Sequence, residues 1–381
     1  MVMDRLFLLM RDKKASDLFM AVNSPIQLKI NGQLVPINQQ KMDNATIASL
    51  LSEVVAAKYM EELERDNELN MGIPVADVGS FRLSAFRQRG TLSAVFRYIP
   101  SDVPELHTLF VPPVLADVIM EKRGLVLMVG ATGSGKSTTI AAMLDHRNAN
   151  RAGHILTLED PIEFVFKNKK SIVNQREIGT DAKTLQIALK NALRQAPDVI
   201  LIGEIRDKDT MGAALAYAQS GHLVVATLHA NNSYQALNRI ISFYPLETRQ
   251  ALLSDLGATL KAIVSQRLVA AINGGRRPAV EVLLNTRHVS ELIEQGEISQ
   301  IREAIEKSMA PGSQTFEQAL MQMIRDGVIT QEEGLANADS ASNLFWLLNN
   351  ADTGGHVAPQ PEEKPKKDEG GATFTEFTLN V

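Results

Sequence analysis

The sequence predicts an α/β protein in which a small α+β domain precedes a larger domain built on a mainly parallel sheet. From residue 114 onwards, short apolar runs alternate with helical patterns, the order typical of a parallel sheet. Before that point, residues 81–86 and 92–97 alternate apolar and polar side chains at period two, as in a half-buried hairpin. The length of 381 residues agrees, because it corresponds to two or three domains.

The composition limits the function classes. A chain that is 45% hydrophobic with a formal net charge of −5 is typical of a globular protein. We expect it in the cytosol, because no apolar stretch reaches membrane-spanning length and the run at residues 6–10 is too short and too charged at its flanks for a signal peptide. The absence of cysteine excludes disulfides and thiolate zinc sites. The acidic balance argues against nucleic-acid binding.

The first domain is predicted at residues 1–99. A helix-like start is followed by an alternating run at 26–30, a turn at 31–32, a helical segment at about 46–64 and the hairpin described above. Four prolines then mark residues 100–113 as a stiff linker or hinge.

The second domain is predicted at residues 114–350, and residues 351–381 form a tail with almost no apolar content. We expect this tail to be disordered, because it cannot offset its ordering entropy. Its last residues include Phe374, Phe377 and Leu379, which either fray with the tail or dock on this protein or another.

The clearest functional motif is GATGSGKS at residues 130–137, directly after the apolar run 125–129. Glycines in a strand-to-helix turn let backbone N–H groups converge on a polyphosphate. Lys136 is then expected to reach the β- and γ-phosphates, and Ser137 to place its hydroxyl on Mg²⁺. The alternative is a Gly/Ser turn without a ligand. The predicted nucleotide-binding residues are Gly130, Ala131, Thr132, Gly133, Ser134, Gly135, Lys136, Ser137 and Thr138.

Two later apolar runs end in carboxylates. The run 199–202 precedes Glu204, where a phosphate-loop fold places its second acidic strand, and Glu204 is the candidate for polarising the attacking water. The run 155–158 precedes Glu159 and Asp160, and Glu159 is expected to face the waters of a bound Mg²⁺. The alternative for Glu159 and Asp160 is a polar turn before Pro161.

Histidines stand at both ends of the apolar run 223–228. His229 follows a strand next in order to the Glu204 strand, so we expect it to sense the γ-phosphate, and we assign His222 to nucleotide binding. The alternative for both is a structural hydrogen-bonding role. Metal ligation by these histidines is not expected, because no ligand spacing accompanies them.

Taken in order, GATGSGKST, ILTLEDPIEF, DVILIGEIRD and GHLVVATLHANNS resemble the Walker A, Asp-box, Walker B and His-box motifs of the secretion ATPase superfamily. The resemblance extends to residues 15–18, 173–179 and 265–268 and covers about residues 1–345. It implies a RecA-like ATPase core, a PAS-like N-terminal domain, a homohexameric ring, and ATP with Mg²⁺ as cofactors.

Within the superfamily, the short N-terminal domain and the lack of cysteine resemble the PilT/PilU family of type IV pilus retraction ATPases, which power twitching motility. This implies a cytoplasmic motor at the inner-membrane face of the pilus base, with a PilC-like platform protein as partner and neither nucleic acid nor zinc. Where PilT proteins carry a box with two arginines, residues 288–295 have Ser290 and Glu294 instead. The chain therefore resembles the PilU branch, with a PilT-type paralogue as a further partner.

The resemblance also implies catalytic arginines from a neighbouring subunit. Arg82 and Arg97 on the N-terminal hairpin match family positions, and closure of the hinge at 100–113 is expected to bring them to the phosphates. The alternative is a solvated arginine on a strand. Two other functions stay open: an ATP-loaded scaffold ring that supports PilT without needing its own turnover, and a nucleic-acid translocase.

Overall fold

Two β-sheets organise the part of the chain that the structure describes. The computed structural model describes residues 1–30, 32–75, 78–99 and 102–350. Asn31 of the predicted turn, the first two linker residues and the predicted tail 351–381 lie outside the described residues. The N-terminal elements are, in chain order, α1 (Val2–Asp12), β1 (Asp17–Ala21), β2 (Gln27–Ile30), β3 (Gln33–Pro36), α2 (Asn44–Ser52), α3 (Ala57–Asp66), β4 (Glu68–Val75), β5 (Gly79–Gln88) and β6 (Thr91–Ile99).

The elements of the second part include the seven strands of the larger sheet and the helices between them. They are, after a 3₁₀ turn at Leu106–Leu109, α4 (Val114–Met120), β7 (Gly124–Val129), α5 (Lys136–Asn150), β8 (Gly153–Glu159), β9 (Ser171–Glu177), α6 (Leu185–Ala192), β10 (Val199–Ile202), α7 (Lys208–Gln219), β11 (Leu223–Leu228), α8 (Ser233–Ser242), α9 (Arg249–Thr259), β12 (Leu260–Ala270), β13 (Arg276–Leu284), α10 (Arg287–Gln295), α11 (Ile301–Glu306), α12 (Phe316–Arg325), α13 (Gln331–Asn337) and α14 (Ala341–Asn350). Further 3₁₀ turns are Leu193–Gln195, Leu246–Thr248 and Ile298–Gln300.

The N-terminal sheet is antiparallel, with the order β3-β2-β1-β6-β5-β4. The predicted hairpin is confirmed as β5 and β6. Its core contains Phe7 of α1, which stacks on Phe81 with 4.0 Å between ring centroids. The predicted helical segment at 46–64 is two helices, because α2 ends at Ser52 and α3 begins at Ala57.

The larger sheet has the order β13-β12-β7-β11-β10-β8-β9, and every pair except β12–β13 is parallel. All residues of β7 and β10 are buried, as expected of strands covered by helices on both faces. The predicted α/β class is thus confirmed. Because parallel strands point the same way, the carboxyl ends of β7, β8, β10 and β11 meet at one edge.

The proline-rich segment is partly packed onto the second part of the chain. Leu106 is buried and belongs to the same apolar cluster as Ile140 and Leu144 of α5. The Leu115 N–H donates to the Pro112 carbonyl at the start of α4. A hinge between the two sheets would therefore have to lie before Leu106, in a shorter stretch than the predicted 100–113.

No helix within residues 1–30, 32–75, 78–99 and 102–350 has both the length and the apolar character needed to cross a bilayer.

Candidate nucleotide-binding site

The loop between β7 and α5 has backbone positions that only glycine fits. Gly130 has a φ of 150°, and a Cβ there would lie 2.5 Å from the Gln266 carbonyl oxygen. Gly135 has a φ of 86°, and its Cβ would lie 2.7 Å from the Gln266 side-chain nitrogen. The glycines therefore let the loop pass close against β12 while its own N–H groups stay clear of side chains.

Gln266 of β12 holds the shape of this loop. Its Nε2 donates to the Ser134 carbonyl at 2.8 Å, and its Oε1 accepts from the Thr139 hydroxyl at 2.9 Å. The side chain is only 2% exposed. Sequence reasoning noted the segment 265–268 but did not identify Gln266 as a site residue, because its partners lie more than 100 positions away along the chain.

Replacing Gly135 with Ala is expected to lower ATP affinity by at least about tenfold, because the new Cβ pushes Gln266 away and disturbs the loop. The matched control is Gly133→Ala: Gly133 also has a positive φ of 78°, but a Cβ there meets nothing within 4 Å. In both variants alanine must adopt a left-handed backbone conformation, which costs about 1–2 kcal/mol. The difference between their ATP affinities therefore isolates the effect of the contact between the new Cβ and Gln266. Titration with a fluorescent ATP analogue measures it, and equal affinities would contradict the role of the Gln266 contact.

Lys136 lies folded against its own loop. Its Nζ donates to the Gly130 carbonyl at 2.7 Å and to the Ala131 carbonyl at 2.8 Å. Burial lowers the pKa of this ammonium, and the charges of Glu163 and Glu204 act in the opposite direction. A bound phosphate offers a stronger acceptor than either carbonyl.

The hydrogen-bond donors of the loop suit a polyphosphate. The Ser134 hydroxyl is buried and has no hydrogen-bond partner. The residue before α5, Gly135, has no side chain to cap the first-turn N–H groups. An unpartnered hydroxyl, uncapped N–H groups and a lysine ammonium at one helix N-terminus are the donors that phosphate oxygens require.

A cavity of about 450 Å³ adjoins the loop at the carboxyl edge of the sheet. It brings together Ser137, Glu159 and Glu204, as predicted from the sequence, and adds Glu163 and Arg206. A hydroxyl and several carboxylates are the hard oxygen donors that suit Mg²⁺. The residues therefore fit a magnesium ion, which Ser137 and Glu159 would hold.

The Glu159 carboxylate is tightly held. Its Oε1 accepts from the Thr157 hydroxyl at 2.6 Å and from the Gln175 side-chain amide at 3.2 Å. Burial raises the pKa of Glu159, and these two hydrogen bonds oppose that rise by stabilising the charged form. Two donors on one oxygen fix the orientation of the carboxylate.

Glu204 lies between two cationic or basic groups. Arg206 Nε is 2.5 Å from its Oε2, and His229 Nε2 is 3.4 Å from its Oε1. The Thr227 hydroxyl donates to the Gly203 carbonyl, which joins the end of β11 to the turn before Glu204. The structure thus places His229 beside the carboxylate that the sequence singled out.

His222 lies elsewhere. It precedes the first residue of β11, whereas His229 follows the last, so the six-residue strand separates them by about 20 Å. The His222 ring contacts the Ser220 hydroxyl at 3.0 Å and the Tyr217 carbonyl at 3.2 Å. A contact between His222 and the phosphate loop of its own chain is therefore not supported by this placement.

Arg82 and Arg97 are paired across β5 and β6. Arg97 donates through Nε to the buried Asp17 carboxylate at 2.9 Å, while its side chain stays 66% exposed. The described residues that line the 450 Å³ cavity and the smaller cavity over the loop all come from position 130 onwards. Within one chain, the structure does not bring either arginine into these cavities.

Comparison with known proteins identifies the family. The family model of type II/IV secretion system proteins matches residues 2–336. The chain is 44% identical over 349 residues to the type IV pilus ATPase PilU of Pseudomonas aeruginosa, covering 91% of each chain. It is 37% identical to the type IV pilus retraction ATPase PilT of the same organism, covering 87% of this chain and 96% of that one.

A solved structure has the same fold. The pilus retraction motor PilT with bound ADP superposes with a TM-score of 0.84 at 36% identity, covering 90% of this chain and 99% of that one. The architecture is thus shared over nearly the full length of that chain. The chain belongs to the family of type II/IV secretion system proteins, alongside the pilus ATPases PilU and PilT.

Proposed function

We propose that the chain is an ATP-hydrolysing motor subunit of type IV pilus retraction, and that it is PilU-like. The observation that carries the proposal is the approach of the phosphate loop to Glu204: Ser137 and Glu204 line one cavity, the charge of Glu204 acts on the Lys136 ammonium, and His229 lies 3.4 Å from Glu204. The 44% identity to PilU supports the assignment to pilus retraction and twitching motility. The solved PilT structure with bound ADP supports nucleotide binding by the shared fold.

The residues divide the work of hydrolysis. Lys136 and the loop N–H groups bind the β- and γ-phosphates, and Ser137 and Glu159 hold a magnesium ion and its waters. Mg²⁺, when bound, neutralises developing charge on the phosphate oxygens. Glu204 accepts a hydrogen bond from the attacking water and orients it in line with the γ-phosphate. His229, in contact with Glu204, senses whether the γ-phosphate is present.

Assembly into a homohexamer supplies arginine side chains to the nucleotide site from a neighbouring subunit. Arg82 and Arg97 are not among the described residues that line the 450 Å³ cavity or the smaller cavity over the loop, and Arg97 is exposed while anchored to Asp17. Such an arginine is well placed to stabilise charge in the site of a neighbouring subunit. Closure between the two sheets, before Leu106, then completes the site when ATP binds, and hydrolysis reopens it.

Mixing two inactive variants tests the arginine assignment. Arg97→Ala and Lys136→Ala are each expected to be inactive, since each removes a different half of a shared site. In mixed rings, an intact loop from the first variant meets an intact Arg97 from the second, so part of the ATP turnover returns. Arg87→Ala, on the same strand as Arg82, is the matched control and should retain activity. No recovery on mixing would contradict action across the interface.

The proposed place of the motor in the cell is supported by its pilus relatives. We infer that the ring docks on a PilC-like platform protein at the cytoplasmic face of the inner membrane and draws pilin subunits back. A PilT-type paralogue is the second proposed partner. In α10, Ser290 donates to the Gly257 carbonyl of α9 at 2.8 Å and to Glu294 at 3.2 Å. Ser290 thus contacts α9 and Glu294 contacts Ser290 within α10, so neither position carries the positive charge of the PilT box, which favours an accessory role.

The direct test is steady-state ATP hydrolysis by the purified full chain, together with its mass in solution with and without ATP. A hexamer with turnover supports a self-sufficient motor. Turnover only after addition of a PilT paralogue supports the scaffold alternative, in which the ATP-loaded ring assists PilT. Stimulation by DNA that disappears with salt would favour a nucleic-acid translocase and would contradict the pilus assignment.

A further inference from the structure

Two of the acidic residues that line the cavity lie in an irregular segment. Residues 160–166, directly after β8, form neither helix nor strand, yet they include Asp160 and Glu163. Backbone groups in such a segment need partners from elsewhere in the fold. Without them, the position of each carboxylate relative to the phosphate loop would vary.

Gln175 of β9 supplies these partners. Its Nε2 donates to the Phe164 carbonyl at 2.7 Å and to Glu159 Oε1 at 3.2 Å, and its Oε1 accepts from the Phe166 N–H at 2.9 Å. One half-buried amide thus holds Glu159, the residue just before the segment, and Phe164 and Phe166 at the end of the segment.

The pairing of β8 and β9 explains this reach. The strands are parallel, with Thr157 opposite Gln175 and Glu159 opposite Glu177. Because alternate residues share a face of a strand, Gln175 and Glu177 project in the same direction. Glu177 completes the support, since its Oε2 accepts from the Ile162 N–H at 3.1 Å.

We propose that Gln175 is a positioning residue of the ATPase site, which holds Glu159 and the 160–166 segment in their working geometry from the neighbouring strand. The inference rests on the proposed ATPase function. Gln175 is not among the described residues that line the cavity. It therefore acts through Glu159 and the carboxylates of the 160–166 segment, which do line it. Its loss is expected to impair the chemical step more than nucleotide binding.

The test compares Gln175→Leu with the full-length wild type, using ATP turnover and the dissociation constant of a fluorescent ATP analogue. We expect kcat to fall by about 10–100-fold, the usual effect of removing a residue that orients a metal ligand through a hydrogen bond. The dissociation constant should change by less than about twofold. Asn174→Leu is the matched control, because Asn174 is exposed on the opposite face of β9 and, among the described residues, its side chain hydrogen-bonds to the His154 ring rather than to the site. It should retain wild-type kcat.

Gln175→Glu keeps the proposal testable if the leucine variant folds poorly. This variant retains the acceptor for Phe166 but places a second carboxylate against Glu159, so kcat should again fall by about 10–100-fold relative to the wild type. A loss of kcat of less than about 10-fold in Gln175→Glu, or a parallel loss of kcat and ATP affinity, overturns the inference. An inactive wild type overturns the ATPase proposal itself, whereas an active wild type with an active Gln175→Leu overturns only this inference.

Discussion

Replacing Glu204 with Gln is expected to leave ATP bound but to lower turnover by about 10²–10⁴-fold, the usual range for a general base. The change is isosteric and removes only the charge that polarises water. Glu204 lies within reach of both His229 and Arg206, and its negative charge acts on the Lys136 ammonium. Single-turnover hydrolysis with radiolabelled ATP, with binding measured in parallel, gives the two quantities separately.

Glu163→Gln is the matched comparison for this prediction. Glu163 lines the same cavity and also acts on the charge of Lys136, but it is more exposed and lies in the irregular segment. We expect a smaller loss than in Glu204→Gln. A larger loss in Glu163→Gln, with Glu204→Gln active, would transfer the role of base to Glu163.

Replacing Lys136 with Ala is expected to abolish turnover and to weaken ATP binding by about 30-fold or more. The reason is that truncating one partner of a buried, hydrogen-bonded charge pair costs about 2–5 kcal/mol. The folded state should survive, because alanine is favourable in α5 and the lost bonds join Lys136 only to its own loop.

Equilibrium binding of a fluorescent ATP analogue measures this effect, and thermal unfolding without nucleotide checks the fold. Lys190→Ala, on the exposed side of α6, removes the same charge away from the loop and should bind ATP as the wild type does. Binding by Lys136→Ala that equals the control would contradict the assignment of this lysine to the phosphates.

Several features could be predicted from the sequence because they depend on residues close together along the chain. Buried apolar runs placed β7, β10 and β11, and the direction of parallel strands then placed Glu159, Glu204 and His229 at one edge. The same reasoning would have separated His222 from His229, because the two stand at opposite ends of β11, but our assignment of His222 to nucleotide binding did not apply it. The break between α2 and α3 escaped prediction, because the apolar residues around it continue a helical pattern.

The residues that support the site could not be predicted in this way. Gln266 contacts Ser134 from a position 132 residues away, and Gln175 contacts Glu159 from 16 residues away on another strand. Nothing near them in the sequence marks these amides as different from Asn174 or other polar strand residues. Their partners exist only once β12 lies beside β7 and β9 beside β8.

The sequence by itself determined the α/β class and the order of the motifs, and it supplied the candidates for the groups that handle phosphate and water. These follow from local spacing, because a phosphate loop and the residue after a buried strand are each built from contiguous residues. Only the tertiary structure decided how those groups are held: Lys136 folded on its own carbonyls, Glu204 between Arg206 and His229, and Glu159 oriented by Gln175. Strand order and register bring distant polar side chains within hydrogen-bonding distance, and a linear pattern does not specify either.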